Sequence, residues 1–476
     1  MAAGSDLCKL DRAHTMPPSV ALFLWFIFLV AVFHFDPAKE RRVSVALWVP
    51  VIWMVITGSR LPSQWIGGHG TIAGNALEEG NSLDRTIYSV LIILAVIVLV
   101  SRSFKWGKFL RRNSALTALL GFALLSVLWS DYPFVALKHW FRDFGEYVVI
   151  LVVLSEPQPL DAVRTVLRRL FFLLIPLSIL LIKYYPAFGV LYSYWGTPEY
   201  VGVATSKNTL GSLCVLSGLV FFWDIATRWP DRKEMRTKQI ILVNMAFFAM
   251  TIWLLSVSRS ATSRICLPLG CALITAAHIE AFRRHPGFLR LLSPTVYLLY
   301  LILAFGFGMS GDFAGAVGRD PTFTGRTVIW NAVLSAKTNP LLGTGYETFW
   351  LGPRLLHVWA QTGAGINEAH NGYLDVYLNL GLVGLLLVVG FLIASYRNIC
   401  SGLKVLSSLG IFGAATWTII LFASTTEAVL KNSLPWMIFL LGAVVVPRGL
   451  RSGARAYDFS GENGASRPRE SQRWRL

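Results

Sequence analysis

Two arginines are the residues of this sequence with the clearest chemical potential. Arg259 lies in a tight turn rich in serine and threonine, and Arg326 follows Gly325 at the start of a short amphipathic segment. A guanidinium matches phosphate oxygens bidentately and keeps its charge throughout the physiological pH range. We therefore predict that the two arginines bind a phosphate or diphosphate group. A side chain that only reaches towards a membrane surface is the alternative for Arg259.

A histidine stands at the head of a polar helix face. Asn371, Asp375 and Asn379 recur every four residues, so they share one face of a predicted helix that is otherwise apolar. His370 directly precedes this face, which must contact protein or water because lipid offers no hydrogen-bond partners. A histidine with a pKa near neutrality could orient or deprotonate an attacking hydroxyl group. The alternatives are a structural or incidental histidine, and Glu347 as the base.

The composition identifies the environment of these residues. The chain has 476 residues, of which 54% are hydrophobic and 14% charged, and its mean hydropathy is +0.56. Soluble proteins carry about 25% charged residues, so a soluble protein is excluded. We predict an all-α fold, a polytopic transmembrane helix bundle. The five cysteines are scattered and form no CxxC pair or disulfide framework.

Thirteen apolar segments could cross a bilayer, which needs about 20 helical residues. They are 19–35, 43–58, 86–101, 114–130, 143–155, 170–185, 209–226, 240–256, 264–281, 291–309, 373–395, 405–423 and 434–446. The second, fifth and last are short, so twelve or thirteen spans are predicted. Ionisable residues are predicted to be almost absent from the middle of the spans, which argues against an ion pathway.

Lysine and arginine residues set the orientation. If the C-terminal tail is cytoplasmic, 28 of the 43 basic residues lie on the cytoplasmic side, as the positive-inside rule requires. This bias explains most of the net charge of +17 without a nucleic-acid partner. The outer side then carries a loop over residues 310–372, and loops of this length usually have a function. The segment after Arg326 within it is predicted to be a helix along the membrane surface.

A lipid-linked diphosphate donor fits these residues. Two arginines could neutralise the diphosphate as it leaves, which stabilises a transition state without a metal ion. The sequence has no histidine, cysteine and carboxylate set at ligand spacing, so no metal site and no cofactor are predicted. A transporter or flippase for the same lipid is the main alternative, and it would need polar residues along whole helices. A sensor for a periplasmic ligand is the third possibility.

The motifs around these residues resemble a known family, the O-antigen ligase and polysaccharide polymerase superfamily of bacterial inner-membrane proteins. Three motifs over about residues 240–395 carry the resemblance: Ser258-Arg259-Ser260, Gly325-Arg326-x-x-x-Trp330 with Asn339-Pro340-x-x-Gly343-x-Gly345, and His370-Asn371-x-Tyr373-Leu-Asp375 with Gly381-x-x-Gly384. Upstream, Ser206-Lys207-Asn208 with Gly211, and Gly58-Ser-Arg60-Leu-Pro-Ser-Gln-Trp65, look like the exopolysaccharide-polymerase branch.

The resemblance implies an inverting glycosyltransferase that acts on undecaprenyl-diphosphate-linked oligosaccharides at the periplasmic face of the inner membrane. The acceptor would be another glycan in a polymerase, or a lipid-core sugar in a ligase, and other polysaccharide-assembly proteins are possible partners. Arg259, Arg326 and His370 would be catalytic. The residues expected to bind substrate are Lys207, Asn208, Ser258, Trp330, Glu347, Asn371, Tyr373 and Asp375.

Four regions follow from these patterns. They are an N-terminal membrane-spanning half (1–239), the O-antigen-ligase-like module with outer loop 310–372 (240–395), the C-terminal spans (396–446) and a basic cytoplasmic tail (447–476). The sugars, the linkage, the choice between polymerase and ligase, the side of the N-terminus and the oligomeric state do not follow from the sequence.

Overall fold

The computed structural model describes residues 16–36, 43–67, 80–192, 196–303, 324–363, 365–431 and 433–446. The predicted tail and the first part of the predicted outer loop, 310–323, lie outside these residues. The α-helices of the described part are, in chain order, α1 (Pro18–Phe35), α2 (Trp48–Thr57), α3 (Pro62–Gly67), α4 (Ser82–Ser101), α5 (Trp106–Arg112), α6 (Ser114–Leu125), α7 (Pro133–Leu154), α8 (Pro159–Tyr184), α9 (Pro186–Gly189), α10 (Lys207–Arg228), α11 (Met235–Ser258), α12 (Ala261–Ala276), α13 (Glu280–Arg284), α14 (Pro286–Leu301), α15 (Thr324–Ser335), α16 (Gly352–Thr362), α17 (Gly372–Lys404), α18 (Ser408–Ser424) and α19 (Leu434–Ala443). Short 3₁₀ turns cover Val45–Leu47, Ser126–Trp129 and Trp229–Asp231, and strands β1 (Val190–Tyr192) and β2 (Pro198–Tyr200) form an antiparallel hairpin.

These helices confirm an all-α polytopic membrane protein. By length and composition six of them could cross a membrane, namely α1, α4, α8, α10, α11 and α17. The pair α5 and α6, bent by 98°, makes a seventh if it is one span. Helices α12, α18 and α19 and the segment Val45–Thr57 are apolar but shorter. Each of the thirteen predicted segments overlaps a helix, and the count of twelve or thirteen spans stays a prediction.

Helix α7 differs most from its prediction. The predicted segment was 143–155, but the helix begins ten residues earlier. It carries Arg142, Asp143 and Glu146 near its middle, and the two carboxylate residues are 3% and 1% exposed. Among the described residues, this helix is not one of those that could cross a membrane by length and composition, so the absence of ionisable residues from the middle of the spans stays a prediction. Arg142 and Tyr346 contact the Asp143 carboxylate, each at 2.8 Å, which supplies the partners that lipid would deny it.

Helix α10 lies at the centre of the bundle. It packs against α8, α11, α12, α18 and α19, and its Phe221 and Trp223 side chains are fully buried. Near its first turn, Gly211 faces the start of α12. A Cβ on Gly211 would lie 2.5 Å from the Ser260 Cβ. The small residues therefore let α10 and the start of α12 approach each other closely. This contact places the start of α10 beside the turn that contains Arg259.

Buried ion pairs join α8 to the last turns of α10, at the end of the bundle that lies away from Arg259. Arg168 contacts Asp36 at 2.6 Å and Asp224 at 3.5 Å. Arg164 and Arg228 contact the same Asp224 carboxylate at 3.2 and 2.9 Å. Buried charges are tolerated when they are paired in this way. The network therefore stabilises the ends of the helices that lie away from Arg259.

The segment after residue 323 folds onto the bundle. Helices α15 and α16 pack against each other around a small apolar core in which Phe349 and Leu378 are fully buried. Helix α15 confirms that a helix includes Arg326 and the residues after it, and its position along the membrane surface stays a prediction. Because Leu378 belongs to α17, this core fixes the segment to the helix that carries the predicted polar face.

Helix α17 is interrupted at Gly381, whose backbone has φ 66° and ψ −165°. The predicted Gly-x-Gly turn fills the interruption. The Gly345 N–H donates to the Asn379 carbonyl at 2.9 Å, and the Leu382 N–H donates to the Pro340 carbonyl at 2.9 Å. Backbone groups inside a membrane protein need such partners, so the turn replaces the missing helical hydrogen bonds and is itself fixed against α17.

Gly381→Ala is expected to lower the free energy of unfolding by roughly 3 kcal/mol or more. An added Cβ would lie 2.2 Å from the Leu341 carbonyl, at a backbone conformation that already disfavours side chains. Gly390→Ala in the same helix is the matched control, because a Cβ there meets nothing within 4 Å. Thermal unfolding in detergent should show a lower Tm for Gly381→Ala alone, and equal Tm values would contradict the docking of the turn.

Candidate functional site

Three predicted site residues share a rare backbone conformation. Five non-glycine residues of the described ranges have a positive φ, and Arg259 (51°), Glu347 (54°) and His370 (49°) are three of them. Ser103 and Leu406, the other two, lie in short connections between helices. This conformation costs about 1–2 kcal/mol for a residue with a side chain, and it clusters at functional sites. The strain therefore supports the three predicted positions independently of residue type.

Arg326, His370 and Glu427 form the centre of the candidate site. Arg326 Nη2 lies 3.1 Å from Glu427 Oε1, and Arg326 Nη1 donates to the His370 carbonyl at 3.5 Å. His370 Nδ1 lies 2.8 Å from Glu368 Oε1 and 3.8 Å from Glu427 Oε2. The Nδ1–H is not aligned with either carboxylate, so these two contacts are electrostatic. Two predicted catalytic residues thus share one carboxylate.

The carboxylates control the charge of the histidine. Glu368 and Glu427 raise the pKa of His370 to about 9, while burial acts in the opposite direction. Burial opposes ionisation of Glu368, but its contact with His370 and the charge of Lys431 lower its pKa to about 2. With a pKa of about 9, the neutral imidazole is on the order of 1% of the total at pH 7. His370 is therefore mainly a cation in this arrangement.

Arg259 supplies a further positive charge nearby. It is exposed and forms no ion pair or hydrogen bond with other described residues. Its turn is held beside Glu427, because Thr262 Oγ1 and Thr426 Oγ1 lie 2.9 Å apart. Ser258 Oγ donates to a backbone carbonyl in its own helix at 3.0 Å. The guanidinium of Arg259, rather than the hydroxyl of Ser258, is the free group of this turn.

The first turn of α10 brings Lys207 and Asn208 to the same end of the bundle. Lys207 Nζ lies 2.6 Å from Glu199 Oε1 in the hairpin. Asn208 Oδ1 is buried and has no hydrogen-bond partner in the part of the chain that the structure describes. A buried acceptor without a partner is costly. Asn208 is therefore the better candidate of the two to accept a hydrogen bond from a substrate.

Trp330 and Asp375 hold the backbone in front of His370. Trp330 Nε1 donates to the Ala369 carbonyl at 2.9 Å. The Asp375 carboxylate accepts hydrogen bonds from the Ala369 N–H at 3.3 Å and from Trp350 Nε1 at 3.0 Å. These bonds position the strained residue that follows Ala369. The predicted polar face of α17 therefore faces protein, and Asp375 has a structural task there.

The remaining residues of the polar face also bind protein groups. Asn371 caps α17, with its Oδ1 accepting two backbone N–H groups of the first turn at 3.1 Å. Asn379 Oδ1 accepts the Thr348 N–H at 2.9 Å, which fixes the backbone next to Glu347. Tyr373 donates to a backbone carbonyl of α18 at 3.3 Å. Together these bonds attach the outer segment to the bundle.

A cavity beside this centre is lined by Glu347, Lys431, Asp375, Tyr147 and Tyr346. Burial raises the pKa of Glu347. Burial alone would lower the pKa of Lys431, but the Asp375 and Glu347 carboxylates raise it above its ordinary value. Lys431 therefore balances the negative charge of the cavity. Glu347, the alternative base, lines this cavity and forms no ion pair with the central residues.

Glu427 and Lys431 were missed by the sequence prediction. Both lie in the connection between α18 and α19, which separates two apolar segments. A signal was present, because residues 424–433 contain serines, threonines, a glutamate and a lysine between strongly apolar neighbours. The predicted orientation also places this connection on the outer side, with Arg259. Neither residue belongs to a motif that was recognised.

One group of side chains has the composition of a metal site. Ligand atoms of Glu368, His370 and Glu427 lie within 4.8 Å of one another, a proximity that their sequence spacing did not indicate. The Arg326 guanidinium already lies 3.1 Å from a Glu427 oxygen. The positive charge of the guanidinium would repel a divalent cation bound at this point. The arrangement therefore fits anion binding by Arg326 better than coordination of a metal ion.

Comparison with known proteins finds similarity in the same part of the chain. The chain matches the O-antigen ligase family over residues 201–389, a range that contains every predicted site residue. It is also similar to the exopolysaccharide production protein ExoQ of Rhizobium meliloti (strain 1021), with 27% identity over 290 residues. The alignment covers 58% of this chain and 62% of that relative, so the chain spans less than two thirds of the relative's length. The match over residues 201–389 and the similarity to ExoQ support the resemblance to the O-antigen ligase and polysaccharide polymerase superfamily.

Proposed function

We propose that the protein is an inverting glycosyltransferase of the bacterial inner membrane, active at the periplasmic face. The donor is an oligosaccharide on undecaprenyl diphosphate, and the acceptor is a second glycan, as in a repeat-unit polymerase. The observation that carries the proposal is the convergence of Arg326 and His370 on Glu427, with Arg259, which has no partner among the described residues, on the adjoining turn. These groups match a diphosphate leaving group and an attacking hydroxyl.

The proposed reaction is a single displacement. The oxygen of an acceptor hydroxyl forms a bond to the anomeric carbon of the donor sugar. The bond from that carbon to the phosphate oxygen breaks, and its electron pair leaves with the lipid diphosphate. Arg259 and Arg326 stabilise the negative charge that develops on the leaving group. The hydroxyl proton passes to His370 Nε2, because Nδ1 faces Glu368.

The role of His370 as a base predicts a pH dependence. Because its pKa is about 9 and only the neutral form accepts a proton, the transfer rate should rise about tenfold per pH unit from pH 7 and level off above pH 9. Glu368→Gln removes the carboxylate that raises this pKa most, so the rise should move to lower pH. Single-turnover rates between pH 6 and 10 test this. A rate that falls through pH 9 would identify His370 as a required cation.

The decisive experiment uses purified protein in liposomes with a short undecaprenyl-diphosphate-linked repeat unit. No nucleotide sugar is supplied, and EDTA is present in one arm. A ladder of lipid-linked products with released undecaprenyl diphosphate is expected. If nothing elongates and the donor instead crosses the liposome membrane, the protein is a transporter.

A ligase is the second candidate, since the matching family takes its description from O-antigen ligase. In that case the repeat unit alone should give no ladder. Adding a lipid-core acceptor should give a single transfer product. The polymerase is preferred because the similar Rhizobium protein is described by exopolysaccharide production.

A further inference from the structure

Glu427 occupies the anion-binding side of Arg326. The residue follows α18, and its N–H donates to the Ala423 carbonyl at 2.8 Å, so its backbone is fixed by a last helical turn. Its Oε1 lies 3.1 Å from Arg326 Nη2, and the two side chains are only 17% and 12% exposed. The second oxygen, Oε2, lies 3.8 Å from His370 Nδ1. One carboxylate therefore stands between the two groups that the transfer reaction would use.

We propose that Glu427 is a built-in competitor of the donor: it pairs with Arg326 until the diphosphate displaces it, and the released carboxylate then moves to His370. The inference rests on the proposed function, and it adds a positioning residue that lies outside the matched range 201–389. The Glu427 side chain would thereby have two positions: beside Arg326 before the donor binds, and beside His370 after it.

The two arginines differ in a way that supports this exchange. Arg259 is exposed and forms no ion pair within the described ranges, so it is ready to bind an anion. Arg326 is largely buried and already neutralised. A diphosphate carries more charge than one carboxylate and can accept bidentate hydrogen bonds from a guanidinium. Exchange at Arg326 is therefore favourable for the donor, but it is opposed by the loss of the existing ion pair.

The released carboxylate has a short path to its second position. A shift of about 1 Å would bring Oε2 from 3.8 Å to hydrogen-bonding distance of His370 Nδ1. There it would stabilise the imidazolium that forms when Nε2 takes the acceptor proton. Glu368 already lies at 2.8 Å on this side of the ring, but within the described ranges it forms no ion pair with Arg326. Of these two carboxylates, Glu427 is the one that contacts both the arginine and the imidazole ring.

Removing the charge of Glu427 changes donor affinity in opposite directions under this proposal and under a purely structural role of Glu427. If Glu427 competes with the donor, removing its charge frees Arg326 and donor affinity increases. If Glu427 only holds Arg326 in place, the same change misplaces the guanidinium and donor affinity decreases. Glutamine keeps the shape and a hydrogen-bonding oxygen while it removes the charge.

The experiment measures Kd for undecaprenyl diphosphate with full-length protein in nanodiscs, together with kcat and KM for transfer. Glu427→Gln is expected to bind about tenfold more tightly, with a lower KM and a kcat reduced at least about tenfold. Glu368→Gln is the matched control, because it neutralises the other carboxylate beside His370. Its Kd should change less than about threefold while its kcat also falls.

Equal or weaker binding by Glu427→Gln would overturn the proposal. So would a gain in affinity that persists when Arg326 is also changed to glutamine, because Glu427 would then act elsewhere. If Glu427→Gln does not fold, Glu427→Asp serves, since the shorter side chain withdraws the charge from Arg326 and should also tighten binding; unchanged or weaker binding overturns the proposal. A wild-type protein that neither binds the probe nor transfers glycan would remove the proposed function itself.

Discussion

Arg326→Ala is expected to abolish glycan transfer, lowering the rate by at least about a hundredfold, while the protein still inserts into the membrane. The guanidinium contacts Glu427 and the His370 carbonyl, so its loss removes both a charge for the leaving diphosphate and a support for the base. The rate of product-ladder formation from the lipid-linked repeat unit is the measurement. Size-exclusion chromatography in detergent checks folding.

Arg354→Ala is the matched control for this change. Arg354 lies on α16 of the same outer segment and pairs with Asp131 at 2.7 Å, away from the central residues. Its replacement should change the transfer rate less than about threefold, as expected for a pair whose aspartate is largely exposed. Normal polymer from Arg326→Ala, or an equal loss in both variants, would remove Arg326 from the mechanism.

The sequence alone singles out Arg259, Arg326 and His370, because charged side chains at the ends of apolar segments are unusual and costly beside lipid. Their role in a functional site stays a prediction. Their convergence was not predictable from spacing, because 44 residues separate Arg326 from His370 and 57 separate His370 from Glu427. Helix packing alone brings these connections together.

The roles of the polar face on α17 needed the structure. Asp375 and Asn379 were correctly placed on one face, but their bonds go to the backbone of the outer segment. A sequence gives the direction of a side chain along a helix, whereas it does not give the loop that the side chain meets. For the same reason, the sequence predicts a turn at Gly343 and Gly345 but does not predict the interruption of α17 that this turn fills.

Helix α7 shows a different limit of the sequence prediction. Hydropathy places the start of the predicted segment at Asp143, because isolated charges are unfavourable in lipid. The helix continues because Arg142 and Tyr346 satisfy that carboxylate. A sum over single residues does not include such contacts, and the hydrogen-bonding Tyr346 comes from a segment about 200 residues later. The contacts of Asp143 with Arg142 and Tyr346 therefore allow the helix to extend beyond the start that hydropathy predicts.

His370→Ala is expected to lower the transfer rate by about a hundredfold to ten-thousandfold, a loss much larger than any weakening of undecaprenyl diphosphate binding. The alanine removes Nε2, the nitrogen proposed to take the hydroxyl proton, but leaves Arg259 and Arg326 in place. His357→Ala on α16 is the matched control. His357 is on the same outer segment and its Nε2 lies 3.1 Å from Ser335 Oγ, so its loss should leave the rate within about twofold.

Exogenous imidazole distinguishes a base from a structural histidine in this variant. If His370 accepts the proton, imidazole should restore part of the activity of His370→Ala, and the restored rate should follow the neutral form of the added base with its pKa near 7. A histidine needed only to hold the strained turn before α17 would not be replaced by a free ring. Full activity without imidazole would transfer the role of base to another group, with Glu347 as the candidate, because its carboxylate lines the adjoining cavity and its pKa is raised by burial.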